Sequence, residues 1–203
     1  DAYISFRYSK NFALGCGLRY NLGNHVPVEG YSNFLWVILG SLFELLRLQI
    51  TFWMPLISAF CGTILLFLVF DLLRRRLRVN PLASGIATLT LGFYPPFAVW
   101  SSSGLETMAF ALVMYLTFER LVLRPDGVDA VGASIFGLLL VLIRVEGIAW
   151  VVVLAMLAFV SRWIAGQRRI RPFLVFFITI VVGYAIYFGW RFWYYQAVLP
   201  NNV

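Results

Sequence analysis

Nine acidic residues are spread through this 203-residue chain, and their surroundings divide them into two sets. Asp71, Glu119, Asp126 and Asp129 stand near arginines in short polar connections and read as solvated charges that balance those cations. Glu106 and Glu146 read differently. Glu106 follows Ser103-Gly104-Leu105 at the mouth of an apolar block, and Glu146 comes two residues after Arg144, between two short apolar blocks. Ionisable groups at membrane depth are costly and face a cavity or a partner. Arg144 and Glu146 therefore read either as a structural pair or as part of a polar site. Asp1 opens a polar, aromatic-rich head in which Tyr3, Phe6, Arg7 and Lys10 fall at helical spacing, with Ile4, Tyr8 and Phe12 on a neighbouring stripe. An amphipathic helix in the headgroup region has this pattern. A carboxylate at its start can act as a general base, taking the proton of an attacking hydroxyl; a plain anchoring helix is the competing reading.

The elements that must position these groups are apolar. Hydrophobic residues make up 62% of the chain, charged residues 12%, and mean hydropathy is +0.86. That is the composition of a polytopic membrane protein, with room for roughly six or seven spans. Apolar blocks fall at about 34–46, 52–73, 82–100, 104–123, 130–143, 147–164 and 173–193. The first would give about 20 Å of helix against a hydrocarbon core of roughly 30 Å. It carries Glu44, is followed by Arg47, and reads as an interfacial or re-entrant helix. The expected fold is thus an all-α helical membrane bundle with about six transmembrane helices. Residues 1–51 form a juxtamembrane segment with a short interfacial helix, and 52–203 form the bundle. Blocks 130–143 and 147–164 meet at Arg-Val-Glu-Gly and read as helices that stop inside the protein or line a cavity.

Charge fixes the expected sides. With six spans, the arginines of 74–78, 120–124 and 162–171 share one side, and Arg7, Lys10, Arg19, Arg47, Arg144 and Arg191 lie on or near the other. Cytoplasmic loops collect such clusters, so the polar head, the Ser101–Gly104 turn, the Arg144–Gly147 turn and the tail at 200–203 are expected outside. Trp53, Trp100, Trp190 and Trp193 near the outer ends suit an aromatic belt. The net charge of +7 is dispersed between apolar blocks rather than gathered in one patch, which argues against a nucleic-acid partner. Cys16 and Cys61 are expected on different sides of the interface, so no disulfide is expected, and neither they nor the lone His25 have metal-ligand spacing. No metal or other cofactor is expected. A chain opening on Asp rather than Met, with no leader pattern, reads as a piece of a longer protein.

Five sequence words carry a resemblance: Asp-Ala-Tyr-Ile-Ser-Phe-Arg-Tyr at 1–8, Val-Glu-Gly-Tyr-Ser-Asn-Phe-Leu-Trp at 28–36, Ser-Gly-Leu-Glu-Thr at 103–107, Arg-Val-Glu-Gly at 144–147 and Leu-Pro-Asn at 199–201. In this order they resemble the GT-C type bacterial membrane glycosyltransferases, in the branch related to the mycobacterial terminal arabinofuranosyltransferase. The resemblance implies a multi-pass protein of the bacterial inner membrane, working on its extracytoplasmic face. The implied reaction moves a sugar from a polyprenyl-phosphate donor to a glycan or lipid acceptor. It implies Asp1 as the base and Arg144 as the ligand of the lipid phosphate, since a guanidinium fork matches phosphate oxygens. Glu106 and Glu146 would orient Arg144 or bind sugar hydroxyls. Tyr3, Arg7, Glu29, Tyr31, Asn33 and Asn201 belong to the same words and are implied substrate contacts. The chain departs from the family in having one acidic residue rather than two before Ala2, Val145 in place of Pro and Asn202 in place of Thr. The similar Arg-Pro-Asp-Gly at 124–127 lies in an expected cytoplasmic loop and is a decoy. The resemblance implies that the family's later helices and any soluble C-terminal domain would follow Val203.

A transporter or lipid flippase, with Arg144, Glu146 and Glu106 along a substrate path, is the alternative from another class. It predicts charges near mid-bilayer in several helices, whereas the interiors of 52–73, 82–100 and 173–190 hold almost none. Convergence of Asp1, Glu106 and Arg144 on one cavity is what the enzyme reading requires.

Overall fold

The computed structural model describes residues 2–23, 27–124, 127–167 and 169–197, and the described residues form helices and no strands. The order is α1 (Ala2–Ala13), α2 (Phe34–Leu45), α3 (Ile50–Asp71), α4 (Pro81–Phe93), α5 (Pro95–Ser102), α6 (Thr107–Phe118), α7 (Ala130–Ile143), α8 (Gly147–Ile164) and α9 (Arg171–Tyr195). Wider π turns extend α3 through Leu72–Arg76 and α6 through Glu119–Leu123. The expected helical head is α1, and the expected short helix after it is α2.

Among the described residues, three helices are long and apolar enough to cross a membrane: α3 with its π turn (27 residues), α8 (18) and α9 (25). Only 17–33% of their most apolar stretches is buried in the protein, so the exposed Phe60, Phe67, Val181 and Ile186 need lipid around them. A membrane protein follows. The six-span expectation meets three such helices, or four if α4 and α5 count together. Block 82–100 breaks at Tyr94-Pro95-Pro96, where α4 and α5 meet at 60°. Tyr94 is extended (φ −64°, ψ 121°), as a residue before proline is pushed to be, and it ends one helix while opening the next. Block 104–123 divides into the 12-residue α6 and its π turn, and α7 has only 14 residues, about 21 Å of helix.

Hydrogen bonds fix the relative directions. Ser58 Oγ donates to Leu105 O (3.1 Å) and Tyr115 Oη donates to Leu68 O (3.2 Å), so α3 and α6 run parallel. Arg162, late in α8, donates to Leu121 O after α6, and Tyr195, at the end of α9, donates to Leu18 O in the head. One end of the bundle therefore gathers α1, the loop before α2, the Ser103–Glu106 turn and the Arg144–Gly147 turn. The other gathers the connections after α3, α6 and α8. This is the grouping expected from alternation of the apolar blocks.

Three apolar clusters hold the frame. Leu140, Val151, Ala158 and Phe176 pack α7 among α8 and α9. Phe6, Trp36, Ile50 and Met54 pack α1, α2 and α3, and Tyr8, Leu18, Tyr31 and Tyr195 tie the head to α9. Between helices that face lipid, such clusters hold by close van der Waals packing rather than by exclusion of water. Helix α2 is thus covered by protein through Trp36, Val37 and Gly40, and exposes Leu42 and Leu45.

Candidate functional site

The site is built where three connections meet the first turn of α1. Helix α7 stops at Ile143 because Arg144 turns extended (φ −149°, ψ 143°), and α8 restarts at Gly147. A Cβ on Gly147 would run into the Leu140 carbonyl, so only glycine lets α8 begin this close to α7. The Arg144–Gly147 turn is held by Gly147 N–H donating to Arg144 O (2.9 Å). On the facing connection Gly104 takes a left-handed φ of +73°, and its carbonyl accepts from Trp36 Nε1 (2.9 Å). That bond ties the Ser-Gly-Leu-Glu word to the Val-Glu-Gly-Tyr-Ser-Asn-Phe-Leu-Trp word, and it presents Glu106 to Arg144.

Arg144 Nη1 lies 3.1 Å from Glu106 Oε1, and Nη2 lies 2.9 Å from Glu146 Oε1, with Nε 3.4 Å from Glu146 Oε2. The other oxygen of Glu106 accepts from Asn33 Nδ2 (2.8 Å), and Asn33 also pairs with Ser5 Oγ of α1 (3.0 Å). A continuous polar chain therefore runs Ser5–Asn33–Glu106–Arg144–Glu146, buried at its α1 end and exposed at Glu146. The Glu106 side chain is 6% exposed, Arg144 32% and Glu146 58%. The hydrogen bond from Arg144 draws the Glu146 carboxyl below its usual range against the opposing effect of burial. The bond to Glu146 in turn raises Arg144. Two carboxylates share one guanidinium, so an incoming anion must compete with Glu146, the more exposed of the two.

This chain opens on a cavity of about 560 Å³ whose walls include Ile4, Ser5, Tyr31, Asn33, Glu106 and Arg144. An apolar groove of about 300 Å³ lies near it. Its walls include Ala109, three residues past Glu106, and Ile143, the neighbour of Arg144. The loop that supplies Tyr31 and Asn33 is fixed from both sides. Tyr8 Oη donates to Val28 O (2.7 Å) and accepts from Gly30 N–H (2.8 Å). Arg191 Nε of α9 donates to Glu29 (2.7 Å), with both side chains about 95% buried. Tyr31 Oη meets Tyr195 Oη at 3.1 Å, and burial pushes the Tyr31 phenol above its ordinary range, so it stays protonated.

The structure therefore brings together Tyr31, Asn33, Glu106, Arg144 and Glu146. It places Glu29, Tyr3 and Arg7 elsewhere. Glu29, expected at substrate, is taken up by the buried pair with Arg191. Tyr3 and Arg7 lie on the far side of α1, in a separate open groove of about 810 Å³ with Lys10, Glu44 and Arg47. There Arg7 donates to Tyr20 O (2.9 Å) and stacks over the Tyr20 ring at 4.2 Å. The reason is helical geometry: residues 3, 6, 7 and 10 share one face, and Ile4 and Ser5 are turned away from it. Asp1 and Asn201 lie outside the described residues, as does His25. Among the described residues, no group of three His, Cys, Asp or Glu side chains is placed to hold a metal ion.

Sequence reasoning missed Ser5, Trp36 and Arg191. Ser5 and Ser9 stand four apart, a small polar pair that signals close helix contact, and Ser9 Oγ donates to Val37 O of α2 (2.8 Å). Arg191 stood out only as a cation late in a long apolar block. Comparison of the chain with protein-family models, with curated proteins and with solved structures found no match.

Proposed function

We propose that this chain is the site-bearing part of a GT-C type membrane glycosyltransferase that moves a sugar from a polyprenyl-phosphate donor to a glycan or lipid acceptor. One observation carries the reading: Asn33, Glu106 and Arg144, from three sequence words, converge on a cavity bounded by the first turn of α1, with Glu146 paired to Arg144. The nearby apolar groove suits an isoprenoid tail that would enter from lipid and end at Arg144.

In this mechanism the acceptor hydroxyl oxygen attacks the anomeric carbon. Asp1 takes the hydroxyl proton, and the bond between the anomeric carbon and the phosphate oxygen breaks, its electron pair leaving with the polyprenyl phosphate. Arg144 releases Glu146 and turns its fork to the departing phosphate, whose charge grows during transfer. Glu106, buried and held by Asn33, keeps the guanidinium at the cavity mouth. Tyr31 offers a protonated phenol to sugar hydroxyls. The arginine-rich end would be cytoplasmic and the cavity extracytoplasmic, with α4 to α7 completing a six-span bundle.

The test is transfer of labelled sugar from a defined polyprenyl-phosphate donor by the purified protein in proteoliposomes. Asp1→Asn abolishes transfer while leaving the unfolding midpoint unchanged, and Arg144→Gln weakens donor binding as well as turnover. Unchanged turnover in Asp1→Asn removes it as the base. Movement of intact donor across the bilayer with no new glycosidic bond would favour the flippase alternative.

A further inference from the structure

The opposite end of the bundle holds a second cavity, which the proposed transfer reaction does not use. It encloses about 480 Å³ between the end of α8, the start of α9 and the turn before α7, and its walls include Gly127, Val128, Arg162, Gln167, Arg169 and Pro172. Arg162 is 9% exposed, and it holds this wall in shape. Its Nε and Nη2 donate to Leu121 O (3.3 and 3.2 Å), Nη2 also to Arg124 O (3.1 Å), and Nη1 to Gln167 Oε1 (2.9 Å). These partners are carbonyl and amide oxygens. They satisfy the donors without cancelling the charge, so a buried cation stands at the cavity wall with its field largely intact.

The described neighbouring acids do not neutralise it. Among the described residues, Asp129 is engaged by Arg120 (3.0 Å) and Arg124 (4.0 Å), and Glu119 by Arg120 (3.6 Å). No described carboxylate pairs with Arg169, whose residue is exposed. Among the described residues the cavity is therefore a concave site of excess positive charge. The neighbouring helix ends are apolar: Ile164 is 80% exposed and Ile170 51%, and Leu157, Val160 and Leu174 lie exposed along α8 and α9. A ligand that satisfies both features has an anionic head and an apolar tail.

We propose that this cavity binds the phosphate headgroup of an anionic membrane phospholipid, with the acyl chains lying along the exposed apolar sides of α8 and α9. Basic pockets between membrane helices take anionic headgroups in this way. The site belongs to the opposite leaflet from the Glu106–Arg144 cavity, so it anchors the bundle rather than feeding the transfer, and it stands or falls independently of the proposed reaction.

The experiment titrates the detergent-purified protein with short-chain phosphatidylglycerol, short-chain phosphatidylcholine and inorganic phosphate, reading bound ligand by native mass spectrometry alongside the unfolding midpoint. Phosphatidylglycerol is expected to bind and raise the midpoint, and phosphatidylcholine and inorganic phosphate to do so far more weakly. Arg162→Gln strips the Leu121 and Arg124 carbonyls of donors and so disturbs folding as well as binding. Arg169→Gln is the cleaner variant, because its side chain supports no described hydrogen bond. It should weaken phosphatidylglycerol about fivefold, the loss expected for one cation at a lipid headgroup. Arg75→Gln, on the exposed Asp71 pair of the α3 π turn, should leave binding unchanged. Equal binding of the two lipids, phosphate binding as tight as the lipid, an unaffected Arg169→Gln or an equal loss in Arg75→Gln each overturns the proposal.

Discussion

Replacing Glu106 with alanine removes an acceptor that two neighbours share, and the structure sets the expected cost. Asn33 is 5% exposed, and its Nδ2 would keep Ser5 Oγ (3.0 Å) as partner but lose the carboxylate at 2.8 Å. Arg144, about a third exposed, would keep Glu146 and gain water in place of Glu106. A hydrogen bond to a charged group contributes roughly 1.5–3 kcal/mol net, with the Arg144 side at the low end because solvent screens it. Relief of carboxylate burial offsets part of this, leaving a loss of about 2 kcal/mol. For a chain of this size that is a fall of roughly 4–8 °C in melting temperature. Glu106→Gln should cost less than about 1 kcal/mol. Its new amide faces the Asn33 amide donor, but rotating the Asn33 carboxamide presents Oδ1 instead and still leaves Ser5 in reach. The assay is thermal unfolding in detergent followed by helical circular dichroism. If the alanine variant melts with the native protein, or the glutamine variant loses as much as alanine, Glu106 does not hold the polar chain together as described.

The Glu29–Arg191 pair should behave as a buried ion pair: either single alanine variant loses roughly 3–5 kcal/mol, and the double variant loses less than the sum, measured by a double-mutant cycle on unfolding. Gly104→Ala should destabilise by about 1–2 kcal/mol, since φ is +73° and the added Cβ would meet Pro55 Cγ at 3.1 Å; an unchanged melting temperature would contradict that geometry. Asp129 caps α7 by accepting from Gly132 N–H (3.0 Å), so Asp129→Ala should lose about 1 kcal/mol of stability. Its carboxyl is held below the usual range first by that bond and then by Arg120, and Glu146 is lowered by Arg144. Groups whose folded pKa is depressed contribute stability that is fully present above their unfolded values, 3.8 and 4.5 here, and that fades as pH falls through the folded ones. A melting profile from pH 6 down to about 2.5 should therefore decline, and less steeply in Asp129→Asn.

Much of the frame was legible because its causes are local. The apolar blocks set where helices form. The Arg-Val-Glu-Gly word ends α7 and starts α8 where the polarity pattern changes. Length alone marked α2 as too short to cross a bilayer. The pairing of Arg144 with Glu146 was legible for the same reason, since the two stand two residues apart. What polarity did not reveal was how many blocks remain straight and continuous. The π turn after α6 and the 60° bend at Tyr94 are decided by backbone geometry, while hydropathy along 82–100 runs on across the break.

The sequence by itself determined an all-helical membrane chain, the junction where α7 gives way to α8, and a polar head with a helix of two unlike faces. Only the tertiary structure decided which acidic groups meet. Asn33 and Glu106 are 73 residues apart, and Glu29 and Arg191 are 162 apart. Spacing along a chain fixes which residues share a helix face, because the helical period is constant. It says nothing of which faces touch once helices pack. Packing therefore gave Glu106 to the cavity and Glu29 to a buried arginine, and it turned Ser5 rather than Arg7 toward the site.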